Sequence, residues 1–554
     1  MITHNNPLAE GIIREGLIKL DDLSFHTKFW AKDGSLWKTD KENQDFIAKF
    51  LGWQKVYDWT LERLEEVTAF AQDVKANFTH CIVMGMGGSS LAPEVFRTIF
   101  GKQDGWPELI VLDTTNPDWI DAVRTRIDPA KTLFIFASKS GGTVEPSSQF
   151  AYFMDEVKKA GVQEPGNNFA AITDSGTALE TLAKQQHFRH TFINPSDIGG
   201  RFSALSFFGI VPAALMGVDV KKILETARQQ ALTFAPDAPV KDNAALKLGA
   251  FMGACAANHG RDKLTLLMPE ELATFGLWAE QLVAESTGKE GKGIVPVAGE
   301  ALQANFDYRE DRFFVHLDTD SEDDKRIRSL ADQLDEHEAP LFTIEVPSPY
   351  DLGALFLLWE IATAAAGAIL AINPFDQPNV QEAKTMTKEV LTKLAKGNIP
   401  DSITVPLLVS KDIAGDVKLE TLAQDIYSLL ESNDYIAILP YVYPSQEVAK
   451  ELIKLRNKIM IRTKRAVLFG YGPRYLHSTG QLYKGDGNNG VFLIFSADAA
   501  HDIQIPGQKY TFGQLCNAQA LGDFQALESK GRRAIKVHLT QPLAESIRKI
   551  SDLF

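Results

Sequence analysis

From Phe78 onward the chain sets short β-branched and aromatic runs, HCIVMG, ELIVLD, TLFIFA, NFAAIT and HTFIN, between segments of helical length. Strands that are apolar along their whole length are buried on both faces, and neighbouring parallel strands need a crossover about as long as a helix. The alternation therefore predicts an α/β fold, a parallel sheet flanked by helices on both faces. A second pattern of this kind starts near Ala244 (LTLLMP, IVPV, FFVHL, LFTIEV), and a third follows Asp401 (ITVPLLV, YIAILPYV, AVLFGYG, VFLIFSAD, AIKVHL). At 554 residues the chain is too long for one core. The expected organisation is a helical segment over 1–75, α/β domains over 76–230 and 231–400, and an α/β C-terminal region over 401–554. FTIEVPSPYDLGALF and IQIPGQKYTFGQL echo each other as strand, Pro-containing turn and apolar helix, which suggests a repeated α/β unit.

The chemistry gathers where these strands end. After TLFIFA comes ASKSGGTVEP, a polar loop running into a helix. Loop amides and the first N–H groups of a helix lack backbone partners, so they can face a phosphate, with Ser138, Ser140 and Thr143 adding hydroxyls and Lys139 adding charge. A plain polar turn is the other reading. After HCIVMG, the loop Gly85-Met86-Gly87-Gly88-Ser89-Ser90 has the glycines for a sharp turn and a close approach, but neither GxGxxG spacing nor a P-loop lysine. Asp113 stands near the distance of a ribose-binding acid and reads equally as a turn residue, so dinucleotide binding ranks below phosphosugar binding. In DIGGRFS, two glycines precede Arg201, whose permanent charge can be aimed at an anion or a developing oxyanion, or spent in a surface salt bridge. Glu285 ends an apolar helix before STGKEGKG, a place for a base or for mere surface charge.

The balance of 57 basic and 72 acidic side chains, net −15, would repel a nucleic-acid backbone. Cys81, Cys255 and Cys516 are far apart in apolar company and read as reduced thiols, as in the cytoplasm. The N-terminus lacks the pattern of a secretory signal. The apolar stretch Leu352 to Ile372 starts after Pro349 and Asp351 and ends at Asn373-Pro374, which makes it a buried core helix and leaves no call for a membrane.

Five blocks, GMGGSSLAPE, ASKSGGTVEP, DIGGRFSALS, AEQLVAESTGKEGKG and NPFDQPNVQEAK, follow one another in that order over residues 80 to 390. They resemble the glucose-6-phosphate isomerases, a family of two sugar-isomerase (SIS) domains, each a parallel sheet flanked by helices, with a C-terminal segment. FWAKDGSLW and the shape of the C-terminal third look most like the isomerase half of fusion proteins in which a transaldolase precedes it. No segment of transaldolase length precedes it here, so a transaldolase becomes a candidate partner. The resemblance implies that Ser89, Ser138, Lys139, Ser140 and Thr143 hold the substrate phosphate, with Gly88 closing the loop and Gln377 joining the substrate contacts. It implies Glu285 as the base that moves a proton between C2 and C1, Arg201 as the group that steadies the enediolate, and Lys384 as a helper in ring opening.

In the family's usual order a histidine motif similar to HSxxQ lies between the ESxGK and FDQPxV blocks. Here Gly299 to Leu317 occupies that place without it, and the HSTGQ of His477 to Gln481 comes nearly a hundred residues after FDQP. The strand, loop and strand around His477 match the family's setting, so His477 is expected as the ring-opening acid. In the family this histidine comes from the neighbouring subunit, which implies a homodimer with a shared site. The implied reaction is the interconversion of glucose 6-phosphate and fructose 6-phosphate, as in glycolysis and gluconeogenesis, in the cytoplasm and with no cofactor or metal. A substrate range that includes mannose 6-phosphate, or a non-catalytic sugar-phosphate sensor, are the other readings. Joint presence of Glu285, Arg201 and Lys384 argues against the sensor.

Overall fold

The computed structural model describes residues 1–554 except 237, 239–242, 302, 304–305, 323, 399, 414 and 416. Fifteen strands among the described residues form three five-stranded sheets. The first sheet holds β2 (His80–Met84), β3 (Glu108–Leu112), β4 (Thr132–Ala137), β5 (Phe169–Asp174) and β6 (His190–Asn194). They are all parallel, in the order β3-β2-β4-β5-β6. The second holds β7 (Lys263–Leu267), β8 (Val295–Val297), β9 (Arg312–Asp318) and β10 (Leu341–Glu345), in the order β8-β7-β9-β10. The N-terminal β1 (Thr3–Asn5) lies antiparallel on the outside of β10. The third holds β12 (Tyr435–Tyr441), β13 (Val467–Phe469), β14 (Gly490–Ala497) and β15 (Arg533–Leu539), in the order β13-β12-β14-β15. Here β11 (Leu407–Val409) lies antiparallel on the outside of β15.

Side chains alternate across each strand, and both sets find an apolar layer. In the first sheet Cys81, Val83, Leu133 and Ile135 join the large core shared with the second sheet, while Ile82, Met84, Phe134 and Phe136 pack under the helices of the opposite face. Helix Leu352–Leu370 is apolar on every side apart from the buried Glu360 and Thr363, and only Ile369 along it falls outside the buried set. Such a helix can only be stable inside, and burying each Leu, Ile or Phe contributes about 1.5–3 kcal/mol. It is long and apolar enough to cross a bilayer, but here the protein itself covers it.

The helix after the SKSGGT loop starts at Val144, where Pro146 fits a first turn. One local reading changes. The echo of FTIEV in IQIPG holds in its helix cap and fails in its strand. Ser348 and Thr511 both open their segments with a capping box, yet Gln504 makes only an isolated bridge, to Thr511.

Candidate active site

The order of the first sheet reverses between β2 and β4, and the crevice beyond the strand ends at such a point is where open α/β sheets bind ligands. The loops GMGGSS and SKSGGT both leave the sheet there. A Cβ on Gly88 would lie 1.9 Å from the carbonyl oxygen of Gly200, so the absence of a side chain lets the first loop rest on the backbone that carries Arg201. Ser89 is half-buried on the short turn Gly87–Ser89. In the second loop the Ser138 hydroxyl pairs with that of Thr143 at 3.1 Å and accepts from the Gly141 amide at 3.1 Å, while the Ser140 hydroxyl accepts from the Gly142 amide. Thr143 is the N-cap residue of helix Val144–Lys159 but makes no side-chain capping bond, and since Pro146 has no N–H and the Ser147 amide goes to the Thr143 carbonyl, it is the Val144 and Glu145 amides that are left without a capping side chain. Lys139 reaches away from the loop to the carbonyls of Ser196 and Ile198, with Asp174 at 3.6 Å. Burial lowers the pKa of its ammonium and pushes that of Asp174 up to about 6. Lys139 thus ties the phosphate loop to the segment leading to Arg201.

Glu285 sits in the last turn of helix Ala273–Thr287 with its side chain 11% exposed. One carboxylate oxygen lies 3.1 Å from an Arg201 nitrogen, and the other accepts from Gln281 at 3.1 Å, one helical turn earlier on the same face. Arg201 is buried. Its remaining donors go to Ser286, to Gln377 at 3.2 Å, and to the carbonyls of Pro374 and Asp376 at 2.6 and 2.9 Å. Burial lowers the guanidinium below its ordinary value, and the Glu285 and Asp376 carboxylates oppose that. Lys289 grips the same NPFDQ turn, donating to the Asn373 and Asp376 carbonyls at 2.8 and 2.6 Å and to the Asp376 carboxylate at 2.7 Å.

His477 lies on the same side of the crevice, brought there by the chain that carries Glu285. Its Nε2 is 2.9 Å from Glu145 Oε1, and Gln281, which donates to Glu285, also donates to the His477 carbonyl at 2.8 Å. Burial alone would raise the Glu145 carboxyl, but the adjacent His477, the hydrogen bonds and the charge of Lys384 hold it below its ordinary value. Lys384, exposed on helix Val380–Ala395, shares with His477, Glu145, Ser140 and Thr143 the wall of a cavity of about 950 Å³. Arg474 fixes the His477 loop by a two-pronged pair with Asp113 at 2.7 and 2.8 Å, which leaves Asp113 committed to protein and not to a ribose.

Direct bonds therefore join Glu285, Arg201 and Gln377. Gln281 links that group to His477, and the cavity links His477 to Lys384 and the phosphate loop. Reasoning from sequence missed Glu145, Gln281 and the Lys289–Asp376 pair. Glu145 lay within the block that gave the phosphate loop, and Gln281 is four residues before Glu285, so helical spacing from a named carboxylate was the available signal.

A family model for phosphoglucose isomerase matches residues 59–302. A probable glucose-6-phosphate isomerase of Methanococcus maripaludis is 29% identical over 378 residues, covering 62% of this chain and 84% of the relative. A glucose-6-phosphate isomerase of Trichormus variabilis is 29% identical over 439 residues, covering 70% and 80%. Among solved structures, a hypothetical protein of Thermus thermophilus has a TM-score of 0.59 at 23% identity, covering 70% of this chain and 99% of that one. A glucose-6-phosphate isomerase of Chlamydia trachomatis has a TM-score of 0.58 at 17% identity, covering 69% and 86%. The crevice between the two strand-end loops and the five ordered blocks thus lie in a chain that is similar to the phosphoglucose isomerases, with the family model matching residues 59–302.

Proposed function

We propose that the chain interconverts glucose 6-phosphate and fructose 6-phosphate through an enediolate. The observation that carries this reading is the buried Glu285 carboxylate, held between Arg201 and Gln281, with Gln281 reaching on to the backbone of His477. Moving a carbonyl between C1 and C2 requires a base for the proton on carbon, a cation for the enediolate oxygen and an acid to open the ring. Ser89, Ser138, Ser140, Thr143 and the first helix amides hold the phosphate, remote from the reacting carbons, and so orient them. His477, paired with Glu145 and assisted by Lys384, moves the proton that opens the ring. Glu285 takes the proton from C2 and returns it to C1, and Arg201, with Gln377 beside it, stabilises the charge that develops between these steps. The same reading places the protein in the cytoplasm, keeps a transaldolase as a candidate partner, and makes any homodimer an assembly of sites already furnished with their histidine.

The test is production of glucose 6-phosphate from fructose 6-phosphate by the purified chain, with mannose 6-phosphate followed in parallel. Glu285→Gln is expected to lower turnover by about 10²–10⁴-fold while fructose 6-phosphate still binds. Unchanged turnover would remove Glu285 as the base.

A further inference from the structure

The displaced histidine motif has its explanation in the topology. Numbered within each sheet, the parallel strands of the second and third sheets share one order, 2-1-3-4, and each adds an antiparallel strand outside the fourth. Gly299 to Leu317, where the family's histidine motif would stand, begins just after the second strand of the second sheet, β8. His477 follows the second strand of the third sheet, β13. The motif therefore occupies an equivalent place, one unit later in the chain.

The two units also meet as equivalent surfaces do across a two-fold axis. Edge strands β8 and β13 lie beside each other, with Val295 and Val297 in one apolar cluster with Leu468. Gln281, on the helix after the first strand of the second unit, donates to the His477 carbonyl beyond β13 at 2.8 Å. Arg456, on helix Gln446–Thr463 after the first strand of the third unit, donates to the Gly299 and Ala298 carbonyls beyond β8 at 2.7 and 2.8 Å. Contact of each element with its own counterpart, repeated reciprocally, is the signature of an isologous interface. The third unit is locked to the first sheet as well, through Arg474 on Asp113 and Gln519 on Glu145 at 2.7 Å.

We propose that the C-terminal third is a built-in copy of the second sheet unit. It stands within one chain where the family resemblance puts a neighbouring subunit, so that a single chain is a complete catalytic unit. Its catalytic part rests on the isomerase reading, and its structural part on the contacts above.

Two experiments test it. Chains carrying Glu285→Gln and chains carrying His477→Ala are unfolded, mixed and refolded together. A site shared across a dimer would regain about a quarter of the wild-type sites by random pairing. Sites complete within one chain regain none, and specific activity of the wild type stays constant on dilution. In the second, a full-length chain with Glu145→Cys and His477→Cys is treated with a short bismaleimide, the native cysteines being buried. A cross-link confined to one chain is expected, and a two-chain product overturns the proposal, as does restored activity in the mixture. Should the wild type show no isomerase activity, the functional reading fails while the cross-link still decides the arrangement.

Discussion

Lys289 offers a sharp test of how the site is held together, because its effects on activity and on stability run in opposite directions with pH. Its ammonium is 1% exposed, makes three hydrogen bonds to the NPFDQ turn and lies among the same carbonyls as Arg201. Burial, with the Arg201 charge adding to it, pushes the ammonium down to about 8 against the pull of Asp376. Breaking a buried ion pair from one side costs about 3–5 kcal/mol. The Asp376 side chain keeps 29% exposure, so water recovers part of this and Lys289→Met is expected to cost about 2–3 kcal/mol of stability. Loosening the turn misplaces Arg201 without touching the phosphate loops, so kcat should fall about 10–100-fold, or about 1.4–2.7 kcal/mol of barrier, with KM changing much less. In the wild type, activity falls as pH rises through about 8 and the latch loses its charge. Stability moves the other way. Above that point the unfolded lysine still binds a proton that the folded one has released, so stability rises with pH up to the ordinary lysine value. The assays are initial rates and thermal unfolding between pH 7 and 10, with Lys289→Arg as the variant that keeps a charge through this range. An alkaline limb that persists unchanged in Lys289→Arg would refute the latch.

Two further outcomes follow from the packing. Gly88→Ala drives a methyl into the Gly200 carbonyl, a backbone neighbour that cannot swing aside, and is expected to cost about 1–3 kcal/mol together with most of the activity; a fully active, equally stable variant would show that the two loops need not touch. Glu360, buried at the centre of helix Leu352–Leu370 with neither carboxylate oxygen partnered, is held protonated by desolvation well above the ordinary glutamate value. Because its folded value is raised, the protein loses about 1.4 kcal/mol per pH unit above the unfolded value until the buried group ionises. Glu360→Gln should therefore raise the unfolding temperature at pH 7 to 8, with the gain vanishing towards pH 4, and a gain independent of pH would contradict this account.

What the sequence disclosed and what it withheld differ in range of contact. Strand runs and loop residues are local, so TLFIFA and ASKSGGTVEP announced both β4 and a phosphate loop, and the family blocks placed Glu285 and Arg201 in one site before any distance was known. Gly88 and Glu145 were visible as letters but not as contacts, since their meaning lies in a carbonyl 1.9 Å from a missing methyl and in an imidazole more than three hundred residues away. His477 is the clearest case. Its motif stands out of order along the chain, and no periodicity can say that β13 repeats β8, because equivalence of strands is a property of sheet order and not of spacing. Once β8 and β13 are recognised as counterparts, the displaced motif and the reciprocal bonds of Gln281 and Arg456 become consequences of one duplication. A site that the resemblance implies is shared between two subunits is then furnished by two units of the same chain.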